Sequence, residues 1–291
     1  MPSLEFERFY QTLQQAPVSD ATLTQQRADF EKRMAAFPAA PDIKFDYFSI
    51  GSQTAAWVHA PQATRSEVIL FFHGGGYTAG SIRSHEDLLG RLSRATGKDI
   101  LAVQYRLAPD HPYPAALEDA HSAYTFLLNS HSEKQIILAG VSAGGGLLLC
   151  LLLSLKQKKK KLPKAGICIC PWVDLALTGK TIITNDGKDI MRRRRIEKAA
   201  EAYLQNHDPK DPLVSPLYGD LHGLPPLIIQ AGSNEILLDE IQRFAQKALE
   251  SHVEVYFEIF DSMFHTWQLF ASQIPEGVEA LEKIGKHLKK L

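Results

Sequence analysis

The sequence has few cysteines and almost no excess charge of either sign. Its 291 residues include 3 cysteines, and 32 basic residues against 33 acidic residues give a formal net charge of −1. Cys150, Cys168 and Cys170 all lie in apolar runs, which is typical of small buried side chains and not of a disulfide framework or a metal site. The balanced charge gives no indication of nucleic-acid binding, which usually requires a basic surface.

Long apolar segments are also absent. No apolar run approaches the roughly 20 residues that span a bilayer, and the charged N-terminal residues contain no apolar core of a signal peptide. With 45% hydrophobic and 22% charged residues, and no internal repeat, the chain has the composition of an ordinary globular protein. We therefore expect a soluble cytoplasmic protein without stable membrane association, folded as a single domain over residues 1–291.

Short apolar runs alternate with helical patterns along most of the chain. Strands are predicted at residues 43–50, 55–60, 68–72, 100–103, 136–140, 165–170, 227–231 and 253–259. The first two should form an antiparallel hairpin around Gly51 and Ser52. The later strands are short, uniformly apolar and separated by helices, which indicates the α/β class, with a mostly parallel central sheet flanked by helices.

Two regions do not follow this alternation. Residues 1–42 carry apolar side chains at helical spacing before any strand, with Ser19 or Asp20 as the expected cap of a second helix. The segment between Pro171 and Pro216 shows one helix, at about residues 196–204, and no convincing strand. We expect residues 1–42 and about 174–212 to form a helical cap above the sheet.

Residues 136–145 are the centre of the expected site. An apolar strand ends at Gly140, Ser142 follows two residues later, and a helical run begins at once. This is the pattern of the Gly-x-Ser-x-Gly nucleophile elbow, in which a tight strand-to-helix turn exposes the serine and requires small neighbours. Ser142 is therefore the predicted nucleophile, at a helix N-terminus that favours developing negative charge.

A serine hydroxyl needs a general base, and the base needs an acid that orients it. In chains with this elbow, the acid and then the histidine follow the serine, each in a loop after a late strand. Glu235 lies after the strand at 227–231, and His265 lies after the strand at 253–259. Asp239 is the alternative acid, although its position also suits a cap of the next helix.

The sequence His-Gly-Gly-Gly-Tyr at residues 73–77 follows a buried strand and indicates an oxyanion hole. Glycine lets backbone N–H groups approach a substrate oxygen without a Cβ in the way. We predict Gly75, Gly76 and Ala143 as the donors, with Gly74 as a further candidate.

Together these motifs resemble the bacterial hormone-sensitive-lipase-like (family IV) carboxylesterases. The matching stretches are the glycine motif, Tyr-Arg-Leu-Ala-Pro-Asp-His-Pro-Tyr-Pro-Ala-Ala-Leu-Glu-Asp at 105–119, the elbow, Ser-Pro-Leu at 215–217 and Gly-Leu-Pro-Pro at 223–226. The resemblance covers about residues 43–290 and implies an α/β-hydrolase fold with a helical cap. It also implies hydrolysis of short-chain acyl esters by Ser142, Glu235 and His265, with a small-molecule ester as the partner and no cofactor or metal. Family members often form homodimers, but the sequence identifies no interface.

Some positions depart from the family pattern or have no role in it. Val141 stands where a polar residue commonly precedes the nucleophile, and Asn234 stands where Asp often precedes the acid. Six lysines between residues 156 and 164 indicate a solvated loop. Four arginines at 192–195 indicate a solvated helix surface or ion pairing, or else recognition of an acidic acyl group by the cap. Trp172 and Trp267 adjoin strand ends, where they either line the pocket or belong to the core.

Two other functions remain open from the sequence. An amidase, such as a formamidase, needs the same catalytic parts as an esterase. A small-ligand receptor on an inactive hydrolase scaffold needs only the pocket, and the plant gibberellin receptors, which resemble this family, lack the catalytic histidine. The presence of His265 argues against a receptor, whereas nothing in the sequence separates ester from amide hydrolysis.

Overall fold

The computed structural model describes residues 2–15 and 22–291. The strands are β1 Lys44–Ile50, β2 Gln53–His59, β3 Thr64–Phe72, β4 Lys98–Val103, β5 Ile136–Val141, β6 Ala165–Ile169, β7 Leu227–Gly232 and β8 Val255–Phe260. The helices are α1 Leu4–Gln14, α2 Leu23–Met34, α3 Glu86–Thr96, α4 Ala115–Leu128, α5 Ala143–Gln157, α6 Thr181–Thr184, α7 Arg193–Leu204, α8 Leu238–Glu250 and α9 Pro275–Leu288. In this part of the chain, none of the helices has both the length and the apolar character of a bilayer span.

The strands form one eight-stranded sheet in the order β1-β2-β4-β3-β5-β6-β7-β8. β1 and β2 form the predicted antiparallel hairpin, and β2 is also antiparallel to β4. The pairs from β4 through β8 are all parallel. The predicted α/β class with a mostly parallel sheet is confirmed, and the carboxyl ends of the parallel strands meet at one edge, where such sheets place their sites.

Helices cover both faces of the sheet because its central strands are apolar on both sides. All six residues of β5 are buried, and α5 is buried over almost its whole length. Helices α4, α5 and α8 pack on one face, and α3 and α9 pack on the other. The backbones of α3 and α9 approach closely, since a Cβ on Gly285 would lie 2.1 Å from the carbonyl oxygen of Ala95.

The segments expected to form a cap lie over the carboxyl edge of the sheet. The Phe6 ring of α1 stacks on Phe264 in the loop after β8, with ring centroids 5.8 Å apart. In α7, the Tyr203 ring stacks at 3.9 Å on Tyr77, which belongs to the glycine motif after β3. This placement is compatible with the expected cap, although the division into cap and core stays a prediction.

Helix α2 begins after Thr22, whose side chain accepts a hydrogen bond from the Gln25 N–H in a capping box. The caps predicted at Ser19 and Asp20 lie outside the described residues. The short helix α6 was not predicted, because one helical turn is too short to show a periodicity. The Arg27 side chain fixes α2 over the sheet edge by donating to the Thr78 carbonyl at 2.6 Å.

The sequence predicted a solvated loop for the lysines at 156–164, but this segment, which begins in the last turn of α5, also forms ion pairs with the rest of the fold. Lys156 forms an ion pair with Asp220 at 2.7 Å, and Lys164 forms one with Glu67 at 2.5 Å. The segment is therefore attached to the fold at both of its ends.

Candidate active site

Ser142 lies at the turn between β5 and α5 in a strained conformation, with φ at 56° and ψ at −120°. Such a backbone costs on the order of 1–3 kcal/mol and persists only where its surroundings impose it. Here the surroundings leave no room for side chains. A Cβ on Gly140 would lie 2.2 Å from the Gly144 carbonyl oxygen, and a Cβ on Gly144 would lie 2.1 Å from that of Phe72. The glycines of the elbow therefore follow from the close approach of three backbone segments.

The structure brings together the three residues predicted to form the triad. His265 Nε2 lies 2.8 Å from Ser142 Oγ, and His265 Nδ1 lies 2.8 Å from Glu235 Oε2. A carboxylate can only accept, so Nδ1 donates to Glu235, and Nε2 is left to accept the serine proton. Glu235 is fully buried, and its second oxygen accepts the Gly232 N–H at 3.0 Å.

The alternative acid lies elsewhere. Asp239 is in the first turn of α8, where its carboxylate lies 3.5 Å from Arg243. Of the two candidate acids, Glu235 is the one that contacts His265.

The loops that carry the acid and the histidine are joined to each other. The Asn234 amide donates to the Ser262 carbonyl at 3.0 Å, and the Asn234 N–H donates to that of Met263 at 3.0 Å. An ionised Asp in place of Asn234 could not donate the first of these bonds. This departure from the family pattern therefore supplies a contact between the two loops.

Asp189, in the segment before α7, is a buried carboxylate that sequence reasoning did not select. Its Oδ1 accepts the His265 N–H at 3.0 Å and the Met191 N–H at 3.2 Å, and its Oδ2 accepts the Ile236 N–H at 2.6 Å. Burial raises the pKa of Asp189 to about 6 even though these bonds act in the opposite direction. One carboxylate thus fixes the backbone beside both Glu235 and His265. No motif marks it, because its contacts join residues up to 76 positions apart.

The glycines after β3 differ in what their N–H groups can do. The Gly74 N–H already donates to His85 Nε2 at 3.0 Å, which takes Gly74 out of the predicted set of oxyanion donors. Within residues 2–15 and 22–291, no acceptor is found for the N–H groups of Gly75, Gly76 or Ala143. Gly75 and Gly76 have φ values of 116° and 64°, which favour glycine. These three N–H groups are thus available to a ligand.

His85 holds this loop and is a second residue that sequence reasoning missed. Its Nδ1 donates to the Ser81 carbonyl at 3.0 Å, which leaves Nε2 as the acceptor for Gly74. Burial lowers the pKa of His85 to about 3, with a further contribution from His73, so that the ring stays neutral and can accept. No element of the sequence pattern distinguished His85 from the other histidines.

The Ser142 hydroxyl opens into a pocket between the sheet edge and the segments above it. Val141 and Trp172 line this pocket, whereas Trp267 belongs to the core and donates to the Glu276 carbonyl at 3.3 Å. The lining is otherwise mainly apolar, with Phe30, Met34, Ile190, Met191, Ile196, Leu237, Leu269 and Phe270. It includes the side chains of Arg33 and Arg195 but no carboxylate among the described residues.

A thiol lies close to the triad. Potential ligand atoms of Cys170, Glu235 and His265 are all within 4.8 Å of one another. Both ring nitrogens of His265 are already hydrogen-bonded, and the Cys170 thiol lies 3.8 Å from the Gln268 amide oxygen. Burial raises the pKa of Cys170 well above its usual value, so the thiol stays protonated. Hydrogen bonding within the triad accounts for this cluster.

Comparison with known proteins relates this geometry to a family. The family model described as alpha/beta hydrolase fold matches residues 69–269, which include Ser142, Glu235 and His265. An acetyl-hydrolase of Streptomyces hygroscopicus is 41% identical over 246 residues, which covers 84% of this chain and 82% of that protein. An esterase of Acinetobacter venetianus is 35% identical over 253 residues, which covers 86% and 83% of the two chains.

Solved structures of esterases also align with this chain, over almost its full length. A crystal structure of an esterase from the bacterial hormone-sensitive lipase family aligns with a TM-score of 0.95 at 38% identity, covering 100% of this chain and 99% of that one. An esterase/lipase from an uncultured bacterium aligns with a TM-score of 0.95 at 37% identity, covering 99% and 98%.

Proposed function

The chain belongs to the alpha/beta hydrolase fold family, and within it to the hormone-sensitive-lipase-like carboxylesterases, and on that basis we propose that it hydrolyses short-chain acyl esters through Ser142, His265 and Glu235. It is a carboxylic ester hydrolase. The observation that carries the mechanism is the unbroken pair of 2.8 Å hydrogen bonds from Ser142 through His265 to Glu235.

In this mechanism, Ser142 Oγ attacks the ester carbonyl while His265 Nε2 takes its proton. Glu235 stabilises the imidazolium and holds its orientation, a role that general-base catalysis by histidine requires. The tetrahedral oxyanion is bound by the free N–H groups of Gly75, Gly76 and Ala143, each worth about 3–4 kcal/mol of transition-state stabilisation. His265 then gives its proton to the leaving alcohol, which leaves an acyl group on Ser142.

A water molecule completes the cycle. His265 removes its proton, the resulting hydroxide attacks the acyl-serine, and the acid leaves as the Ser142 hydroxyl is restored. The same oxyanion donors serve both steps.

Bulky apolar side chains around the pocket support a preference for short acyl groups. Phe30 and Met34 come from α2, and Ile190, Met191 and Ile196 come from residues 174–212, so both parts of the proposed cap contribute to the wall. The name of the Streptomyces relative, acetyl-hydrolase, agrees with a small acyl group.

A series of p-nitrophenyl esters from acetate to palmitate tests this proposal. We expect kcat/KM to be highest for the short chains and Ser142→Ala to be inactive with all of them. Ser122→Ala is the matched control, because Ser122 is exposed on α4 and should keep wild-type activity. A preference for palmitate, or activity in Ser142→Ala, would contradict the proposal.

Ester and amide hydrolysis are separated by offering the same acyl group as a p-nitrophenyl ester and as a p-nitroanilide. We expect the ester to be hydrolysed with the higher kcat/KM. The reverse order would identify the activity as that of an amidase using the same triad.

A further inference from the structure

Two arginines line a pocket whose wall contains no carboxylate among the described residues. Arg195 lies in the first turn of α7 and is half-buried, and Arg33 lies near the end of α2 and is more exposed. Both line the same pocket as Ser142 and His265. In the described part of the chain, neither guanidinium has a hydrogen-bond or ion-pair partner, whereas arginines are rarely fully buried without one.

Other arginines on the same two helices do have partners. Arg193 is exposed on α7, and its Nε lies 2.7 Å from Glu197. Arg27 on α2 lies 2.7 Å from Asp110. Arg193 and Arg27 are therefore paired with acids, and the two arginines that line the pocket are not.

The unpaired arginines also repel each other. Burial lowers the pKa of the Arg195 guanidinium, and the charge of the nearby Arg33 lowers it further. Arginine nevertheless keeps its proton in proteins, so the pocket wall carries one desolvated cation, Arg195, and a second, exposed one, Arg33. An anion between them would offset both the desolvation and the mutual repulsion.

The position of Arg195 on α7 brings its positive charge near the part of the pocket where the ester carbonyl would react. Arg195 and Ala199 are four residues apart on α7 and so lie on the same face, about one turn or 6 Å apart along the helix. Ala199 contacts the oxyanion loop, since a Cβ on Gly76 would lie 3.2 Å from the Ala199 Cβ. The backbone of Arg195 is thus about one helical turn from the residue that contacts the oxyanion loop, and its side chain lines the same pocket as Ser142. A substrate with a carboxylate a few carbon atoms from its ester carbonyl could span the two.

We propose that Arg33 and Arg195 form a carboxylate subsite, and that the preferred substrates are short esters carrying a carboxylate a few bonds from the ester carbonyl. Planar guanidinium groups bind carboxylates through paired N–H···O bonds. Monoesters of short dicarboxylic acids present such a group on the acyl side, and esters of short hydroxy acids present it on the alcohol side. The proposal rests on the proposed function, because Ser142 must cleave the same ester.

The first experiment compares each charged ester with a neutral analogue of the same shape. On the acyl side, monoethyl glutarate is compared with ethyl 5-oxohexanoate, in which a methyl ketone replaces the carboxylate. On the alcohol side, 3-acetoxypropanoate is compared with 4-acetoxy-2-butanone. We expect the wild-type kcat/KM to favour the charged member of at least one pair by about tenfold or more, because hydrogen bonds between two charged groups are strong.

The salt dependence of kcat/KM tests the subsite in the wild-type protein, without any substitution. Screening weakens attraction between partly exposed charges, so raising the ionic strength to about 0.5 M should lower kcat/KM for the charged ester much more than for its neutral analogue. Equal salt dependence of the two esters, or a wild-type ratio at or below one in both pairs, would overturn the carboxylate subsite.

Variants then identify the residues. Arg195→Gln and Arg33→Gln should each reduce the charged-to-neutral ratio several-fold, mainly through KM, and Arg195→Lys should keep part of it. Arg193→Gln is the matched control and should leave the ratio unchanged, since Arg193 is paired and exposed on the same helix. A ratio that survives both glutamine substitutions would contradict the assignment. If Arg195→Gln fails to fold by circular dichroism, Arg33→Gln and the wild-type salt dependence decide the matter.

The outcomes distinguish the subsite from the proposed function. Hydrolysis of the neutral esters with no preference for the charged ones would contradict only the subsite. Failure to hydrolyse any of the four esters, with p-nitrophenyl acetate also left intact, would contradict the proposed function itself.

Discussion

Replacing Asp189 with asparagine should separate catalysis from stability. The carboxylate accepts three backbone N–H bonds, and two of them come from His265 and from Ile236, the residue after Glu235. Asparagine has the same size but keeps one acceptor oxygen, so its NH₂ group must face at least one of these N–H donors. We expect the loops to shift and kcat to fall by about 10- to 100-fold, because small misplacements of catalytic groups are costly. KM should change less, since Asp189 is not part of the pocket wall.

Although Asp189→Asn should lower kcat, it should raise the free energy of unfolding at alkaline pH. Burial raises the pKa of Asp189 from 3.8 to about 6, a shift of about two units, and each unit corresponds to about 1.4 kcal/mol. A raised pKa means that the folded state holds the proton more tightly than the unfolded chain. Its contribution to stability is therefore complete below pH 4 and is lost as the pH rises through 6. Asparagine never ionises, so at pH 8 the variant should be more stable than the wild type by up to about 3 kcal/mol.

The assay measures kcat, KM and urea-induced unfolding between pH 5 and pH 9. Asp186→Asn is the matched control, since Asp186 is exposed in the same segment and accepts the Arg193 N–H at 3.3 Å. In the wild type, the fall of kcat/KM at acid pH should include a component from protonation of Asp189, and this component should be absent from Asp189→Asn. An unchanged kcat with an unchanged acid limb would refute the positioning role. A variant less stable than the wild type at pH 8 would refute the reasoning on burial.

Three further substitutions follow from the geometry. Glu235→Gln should lower kcat about 10,000-fold without unfolding the protein, because an amide favours the wrong tautomer of His265. A loss of less than tenfold would assign the role of the acid to another residue. Gly76→Ala places a Cβ on a residue with a φ of 64°, at 3.2 Å from the Ala199 Cβ. The Gly76 N–H should be displaced and kcat should fall about 100-fold. An unaltered kcat would remove Gly76 from the oxyanion hole. Burial raises the pKa of Glu240 well above its usual value, and among the described residues one of its carboxyl oxygens has no hydrogen-bond partner. Glu240→Gln should therefore change the free energy of unfolding by less than about 1 kcal/mol in a urea titration.

The fold and the main site geometry could be predicted because they depend on periodicity and chain order. Strand runs such as the one before Gly140 are short and wholly apolar, and each is bounded by turn residues. The order of serine, acid and histidine restricted the search to two loops. Glu235 could be preferred to Asp239 because Asp239 also suits the start of a helix.

The remaining features depend on contacts between distant segments. Gly74, Gly75 and Gly76 are equivalent in sequence, and what distinguishes them is the His85 ring that α3 and its preceding turn place beside Gly74. Asp189 has no motif, since its partners are backbone groups of two other loops. The four arginines at 192–195 are indistinguishable in sequence, and it is the folded arrangement that places Arg195 in the pocket wall.

Covalent labelling of the nucleophile tests the central claim most directly. The wild type is treated with a fluorophosphonate, digested and examined by mass spectrometry, alongside Ser142→Ala and His265→Ala. We expect one adduct per chain, on Ser142, with hydrolysis lost in proportion to labelling. We expect no adduct in the first variant and a greatly slowed reaction in the second. An adduct on another residue, or ester hydrolysis that persists in fully labelled protein, would contradict the account.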